Sequence, residues 1–166
     1  MITIIGATGK IQDVNSFMIN LHKVSQHHKI SIQVFNASYI FGKDHLLSAY
    51  EHARRSFKQG TNATNTLAME ILLYAAGERQ IQKALRKLGL QKGLDDIVLL
   101  FIGAITQKNI ENSLLQLGLK RNDKVLEGNL NTLKNWGFSQ QELATVSKEN
   151  RNLLILEKVA LVDIIK

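Results

Sequence analysis

At 166 residues and 45% hydrophobic content, the chain is long enough to bury a core and reads as a single domain spanning 1–166. Its 21 Lys/Arg against 14 Asp/Glu leave a formal charge of +7, which favours a polyanionic partner but says nothing of fold. The absence of Cys excludes disulfides, thiol chemistry and Cys-ligated metals, and no apolar run reaches the roughly 18 residues of a membrane span. The opening MITIIGATGKIQDV has neither the basic start nor the long apolar core of a signal peptide, so a soluble cytoplasmic protein without membrane contact is the expectation. With no Pro in the chain, Gly carries the punctuation.

Residues 1–6, with three isoleucines, predict a short strand. Asp13-Val-Asn-Ser opens a helix whose apolar stripe is Phe17, Met18, Leu21 and Val24. Ile30, Ile32, Val34 and Ala37 alternate with polar residues as a half-buried strand. The second helix, about 44–58, sets Leu46, Ala49, Tyr50, Ala53 and Phe57 on its buried face and His45, Ser48, His52 and Arg55 opposite. After Gln59-Gly-Thr-Asn, either Asn62 or Thr64 is placed to cap the third helix.

That third helix, about 65–76, is apolar all round and predicts a central buried element. Glu70 is its lone charge and needs a partner, for which Arg79 is preferred and Arg54 is the other candidate. Gly77 ends it, and a basic amphipathic helix follows to Leu88, burying Ile81, Ala84, Leu85 and Leu88 and exposing Arg79, Lys83, Arg86 and Lys87. Residues 96–102 (DIVLLFI) form a continuous apolar run that reads as a central strand. Short helices at about 109–117 and 129–136 end at Gly118 and Gly137, and Ser139 with Glu142 fits a capping box.

The tail LLILEKVALVDII reads as a helix, because Leu153, Leu156, Ala160, Leu161 and Ile164 recur at helical spacing. It holds more apolar residues than one buried stripe uses. The excess, Leu154, Ile155, Val159 and Val162, is available either to a partner or to packing between helices. The architecture expected is α/β or α+β, a small mixed sheet of about three strands covered by several helices.

Little here suggests catalysis. Gly6-Ala-Thr-Gly9-Lys10 follows a strand but lacks the glycine spacing and the Ser/Thr of a phosphate loop, so a strand-end turn is favoured. His22 and His27 lie five residues apart, poor spacing for one metal, and His45 and His52 lie two helical turns apart. No nucleophile has an evident His and carboxylate partner, and no paired carboxylates stand out. No catalytic residue, metal, cofactor or small-molecule substrate is therefore expected.

What remains is charge. Residues 53–92 hold eight Lys/Arg against two Glu. Arg54, Arg55, Lys58, Arg79, Lys83 and Arg86, together with the amides of Asn62 and Gln80, suit phosphate contacts with some base-edge hydrogen bonds. Aromatic residues are few, so a nucleic-acid end or backbone fits better than broad readout of a single strand.

Three stretches carry a resemblance: GKDHLLSAYEHARRSF, LAMEILLYAAGERQIQKALRKLGL and LEKVALVD. The helix with His45, Ala49, His52, Ala53, Arg55 and Phe57, and the run from Glu70 to Ile81, resemble the kinase-binding regulatory subunit of the KEOPS complex, the TPRKB family. The resemblance extends from about Val34 to the C-terminus. It implies a non-catalytic subunit that binds and stimulates the atypical kinase/ATPase of that complex. It also implies recruitment of tRNA through the 3′ CCA end for threonylcarbamoyladenosine synthesis. On this reading the ridge holds the tRNA tail, and Leu153, Leu154, Leu156, Val159 and Val162 meet the kinase. A charge at Val159 is then expected to abolish kinase capture and leave the fold intact. The tandem Arg54-Arg55 departs from the family pattern, where one arginine is expected. The alternatives are a protein-only adaptor whose ridge faces solvent, and a small nucleotide-binding enzyme using the Gly6–Lys10 turn or the His45/His52 face.

Overall fold

The structure, a computed structural model, describes residues 1–165. Its elements run β1 (Ile2–Thr8), α1 (Val14–His28), β2 (Ser31–Asn36), α2 (Lys43–Gln59), α3 (Leu67–Ala76), α4 (Ile81–Leu88), β3 (Asp96–Ile102), α5 (Gln107–Gln116), β4 (Lys120–Arg121), α6 (Leu130–Asn135), α7 (Gln140–Ala144) and α8 (Asn152–Ile165). They gather into two compact units where the sequence reads as one domain. The first is Met1–Ala37 with Gly89–Leu126, and the second is Ser38–Leu88 with the chain from Glu127 onward.

The first unit is the sheet. Its order is β2-β3-β1-β4, and each adjacent pair is antiparallel. β3 is central, in register from Ile2↔Ile102 to Thr8↔Asp96 on one side and from Ser31↔Ile102 to Asn36↔Ile97 on the other. β1 and β2 therefore run parallel to each other with β3 between them, joined through α1 as a split β-α-β unit. The apolar run of β3 has a direct cause, since Ile97 through Phe101 are all fully buried and the strand shows no polar face. Ile97, Leu99 and Phe101 pack with Phe17, Leu21 and Val24 of α1 and Ile110 and Leu114 of α5. Met18, read as part of the α1 stripe, lies off it and is 46% exposed. The sheet has four strands rather than about three, because a two-residue β4 pairs beyond the middle of β1.

The Gly6–Lys10 stretch is strand and strand exit. A Cβ on Gly6 would fall 2.4 Å from the Asn122 carbonyl oxygen and one on Gly9 would fall 2.7 Å from the Gly118 carbonyl oxygen, so both glycines serve close backbone approach. The Gly6 N–H donates to Asp123 Oδ1 at 3.0 Å, leaving no open anion cradle at that amide.

The second unit is helical. α3 packs against α2, α4 and α8, and α8 also packs on α2. Residues 70–76 of α3 are buried without exception, which makes it the pillar of this unit. Thr66, rather than Asn62 or Thr64, caps it by accepting the Met69 N–H at 3.3 Å, and Gly77 ends it at φ 64°. Asn129 and Ser139 both close capping boxes at α6 and α7.

Candidate nucleic-acid and partner interface

Glu70 is the first correction. Its carboxylate sits in the loop before α3, accepting the N–H groups of Ala63 (3.1 Å) and Thr64 (2.9 Å) and the hydroxyls of Thr64 (2.7 Å) and Ser56 (3.3 Å). Arg79 is exposed, and Arg54 pairs instead with Glu51 at 2.8 Å. Oriented dipoles solvate this buried charge, and the acid thereby pins the α2–α3 loop. Only the fold brings those donors together; they are ordinary Ala and Thr in the sequence.

His45 is the second. Read as part of the polar face of α2, it is fully buried. Nδ1 accepts the Phe41 N–H at 3.2 Å, which leaves Nε2 as the donor to the Ala75 carbonyl at 2.8 Å. Burial pushes its pKa down to about 4, with the Ala75 bond opposing and the Lys87 charge adding to the effect. This histidine is a neutral strut between the start of α2 and the end of α3, unsuited to metal ligation. Among the described residues no group of three His, Cys, Asp or Glu is placed to hold a metal ion.

The other α2 histidine takes part in a cluster with α3 and α8. His52 Nδ1 lies 2.7 Å from Asp163 Oδ2, Arg55 donates to the same oxygen at 3.2 Å, and Tyr74 donates to Asp163 Oδ1. The His52 ring stacks on Tyr74 with centroids 5.5 Å apart. Burial works against ionisation of Asp163, but the bonds from Tyr74, His52 and Arg55 outweigh it and hold its carboxyl below the ordinary range. Sequence reading passed over Asp163; its signal was a single acid near the end of an apolar helix.

The cationic positions fall into two groups on either side of the α3 pillar. Arg54, Arg55 and Lys58 stand exposed on α2. Arg79 and Gln80 lead into α4, where Lys83 and Arg86 are exposed. Arg55 is committed in part to Asp163 and His52, and Asn62 is half-buried, with its side chain donating to the Thr64 carbonyl at 2.9 Å. Lys87, grouped with the exposed face of α4, is half-buried instead. It donates to the Ala76 carbonyl at 2.8 Å and lies 3.5 Å from the centroid of the Trp136 ring. Desolvation lowers its pKa to about 8, against the pull of Glu78 and with the push of Lys158. Leu85, expected to be buried, is exposed on the same helix.

α8 turns the opposite way from the sequence reading. Ile155, Val159 and Val162 are fully buried. Leu153, Leu161, Ile164 and Ile165 are exposed, and Leu154 and Leu156 are partly covered. Val159 and Val162 are therefore removed from the partner surface, and the stripe expected to pack inward faces out. Both registers are apolar, so periodicity alone gave no sign; in the rotation adopted, Asp163 accepts the Tyr74 hydroxyl.

The second unit thus carries exposed cationic side chains on α2 and on and just before α4, and an exposed apolar stripe on α8. The family model described as kinase binding protein CGI-121 matches residues 10–137, and the chain belongs to that family. No curated protein matches the chain. Among the described residues no helix is long and apolar enough to cross a membrane.

Proposed function

We propose that the chain is a non-catalytic regulatory subunit of the KEOPS complex, which stimulates an atypical kinase/ATPase and presents tRNA by its 3′ CCA end. Membership of a kinase-binding family is the observation that carries the kinase half. The contact surface is the outer stripe of α8, where Leu153, Leu161 and Ile164 are 51%, 37% and 78% exposed. Apolar side chains on one outward helix face, next to no covering element of this chain, suit helix docking on a partner. In a pull-down with the kinase, Leu161→Glu abolishes capture and leaves the melting temperature unchanged; unaltered capture removes this stripe from the reading.

The tRNA half rests on the exposed guanidinium and ammonium groups of Arg54, Lys58, Arg79, Lys83 and Arg86, with Gln80 beside them. Arg55 contributes less, because Asp163 already holds it. Intact tRNA binds more tightly than tRNA lacking CCA, and each lost phosphate contact lowers the salt slope by roughly one. Equal affinity for the two tRNAs returns the ridge to a solvent-facing role and favours the protein-only adaptor.

A further inference from the structure

The second unit contains a cavity of about 430 Å³ that neither the ridge nor the α8 stripe uses. Phe41, Leu130 and Leu133 form its apolar wall, and Lys148 and Arg151 bring two cationic side chains to it. The wall is tightly built. A Cβ on Gly128 would fall 2.0 Å from Phe41 Cδ2, so only glycine lets the ring lie on this backbone. Asn129 and Asn131 complete the lining, and Asn129 spends its side-chain oxygen on the Thr132 N–H at 3.1 Å.

Arg151 and Lys148 set the charge of the site. The planar fork of Arg151 and the point charge of Lys148 together match a dianion better than a single carboxylate, which the fork alone could satisfy. The wall takes a flat apolar body, and the amides suit polar edges on that body.

We propose that this cavity binds a nucleoside monophosphate, its phosphate between Lys148 and Arg151 and its base against Phe41, Leu130 and Leu133. The full chain is titrated by calorimetry with AMP, CMP, GMP and UMP, and in parallel with inorganic phosphate and with adenosine. One-to-one binding of at least one nucleotide is expected, at least tenfold tighter than phosphate or adenosine alone. Arg151→Met keeps the apolar stem and loses the donors, and Lys148→Gln changes an exposed residue that cannot threaten the fold. Each weakens nucleotide binding at least tenfold, while Lys108→Gln on α5 leaves it unchanged. Absence of saturable binding, equal binding of adenosine, or an affinity indifferent to both Arg151→Met and Lys148→Gln overturns the proposal. So does capture of an acidic peptide in this cavity in place of any nucleotide.

Discussion

The phenol of Tyr74, in the buried pillar α3, donates a hydrogen bond to Asp163 at the far end of α8. The bond ties the end of α8 to α3. Tyr74→Phe removes only that donor and is expected to cost about 1.5–3 kcal/mol in urea unfolding, the range for a hydrogen bond to a charged group. Asp163→Asn probes the same bond from the other side through its pH dependence. The folded pKa of Asp163 lies below its ordinary value, so its contribution is present above the ordinary carboxylate range and is lost as pH falls through the folded value. The stability gap between wild type and Asp163→Asn is thus expected to be steady near pH 7 and to close below about pH 4.

Glu70→Leu tests the solvation of a buried carboxylate by loop amides. An apolar side chain would leave the N–H groups of Ala63 and Thr64 without their acceptor. A loss of about 2–3 kcal/mol is expected. Faster hydrogen exchange at the amides of Ala63 and Thr64 should accompany it, since those protons lose their acceptor. Arg79→Gln, by contrast, should leave stability within about 0.5 kcal/mol, because Arg79 is exposed and does not hold the acid.

His45 makes a prediction in the acid range. Its folded pKa is about 4 and its ordinary value 6.5, so between these values the unfolded chain binds a proton that the folded chain does not. Stability therefore rises with pH across this window, by at most about 1.4 kcal/mol per unit, and the effect levels off above it. Urea unfolding at intervals from pH 4 to 7 measures the slope. His45→Gln, which offers a donor and an acceptor without titrating, should flatten it.

Val159 separates packing from partner contact. Val159→Asp places a charge in a fully buried position and is expected to unfold the second unit outright. Val159→Ala should cost about 1–3 kcal/mol and leave kinase capture intact under native conditions. Loss of capture by a stably folded Val159→Ala would bring the inner stripe back into the interface.

Much of the fold was legible where one force dominates. The run from Asp96 to Ile102 read as a central strand, and the all-round apolar α3 between a break and Gly77 read as a buried helix. Gly77 and Ser139 marked their helix ends by known cap chemistry. Reading failed where two arrangements bury equal apolar area, as with the two stripes of α8. It failed too where a polar residue is satisfied by backbone groups brought from elsewhere, as with His45 on the Ala75 carbonyl and Glu70 on the Thr64 amide. The ridge was visible because charge on an exposed face needs no tertiary partner. Arg55, counted with the ridge, and Lys87, expected on the exposed face of α4, show the limit of that rule, since each is partly spent inside the protein.

Because each compact unit is assembled from two separated segments, the order of synthesis matters. β1 emerges from the ribosome early, yet its neighbours on both sides, β3 and β4, begin only at Asp96 and Lys120. At ordinary elongation rates it waits roughly five to twenty seconds with both edges unpaired. α2 and α3 wait similarly for α8, which closes over them last. The edges of β1 and the apolar faces of α2 and α3 therefore stay open until the chain has grown through Arg121 and through α8.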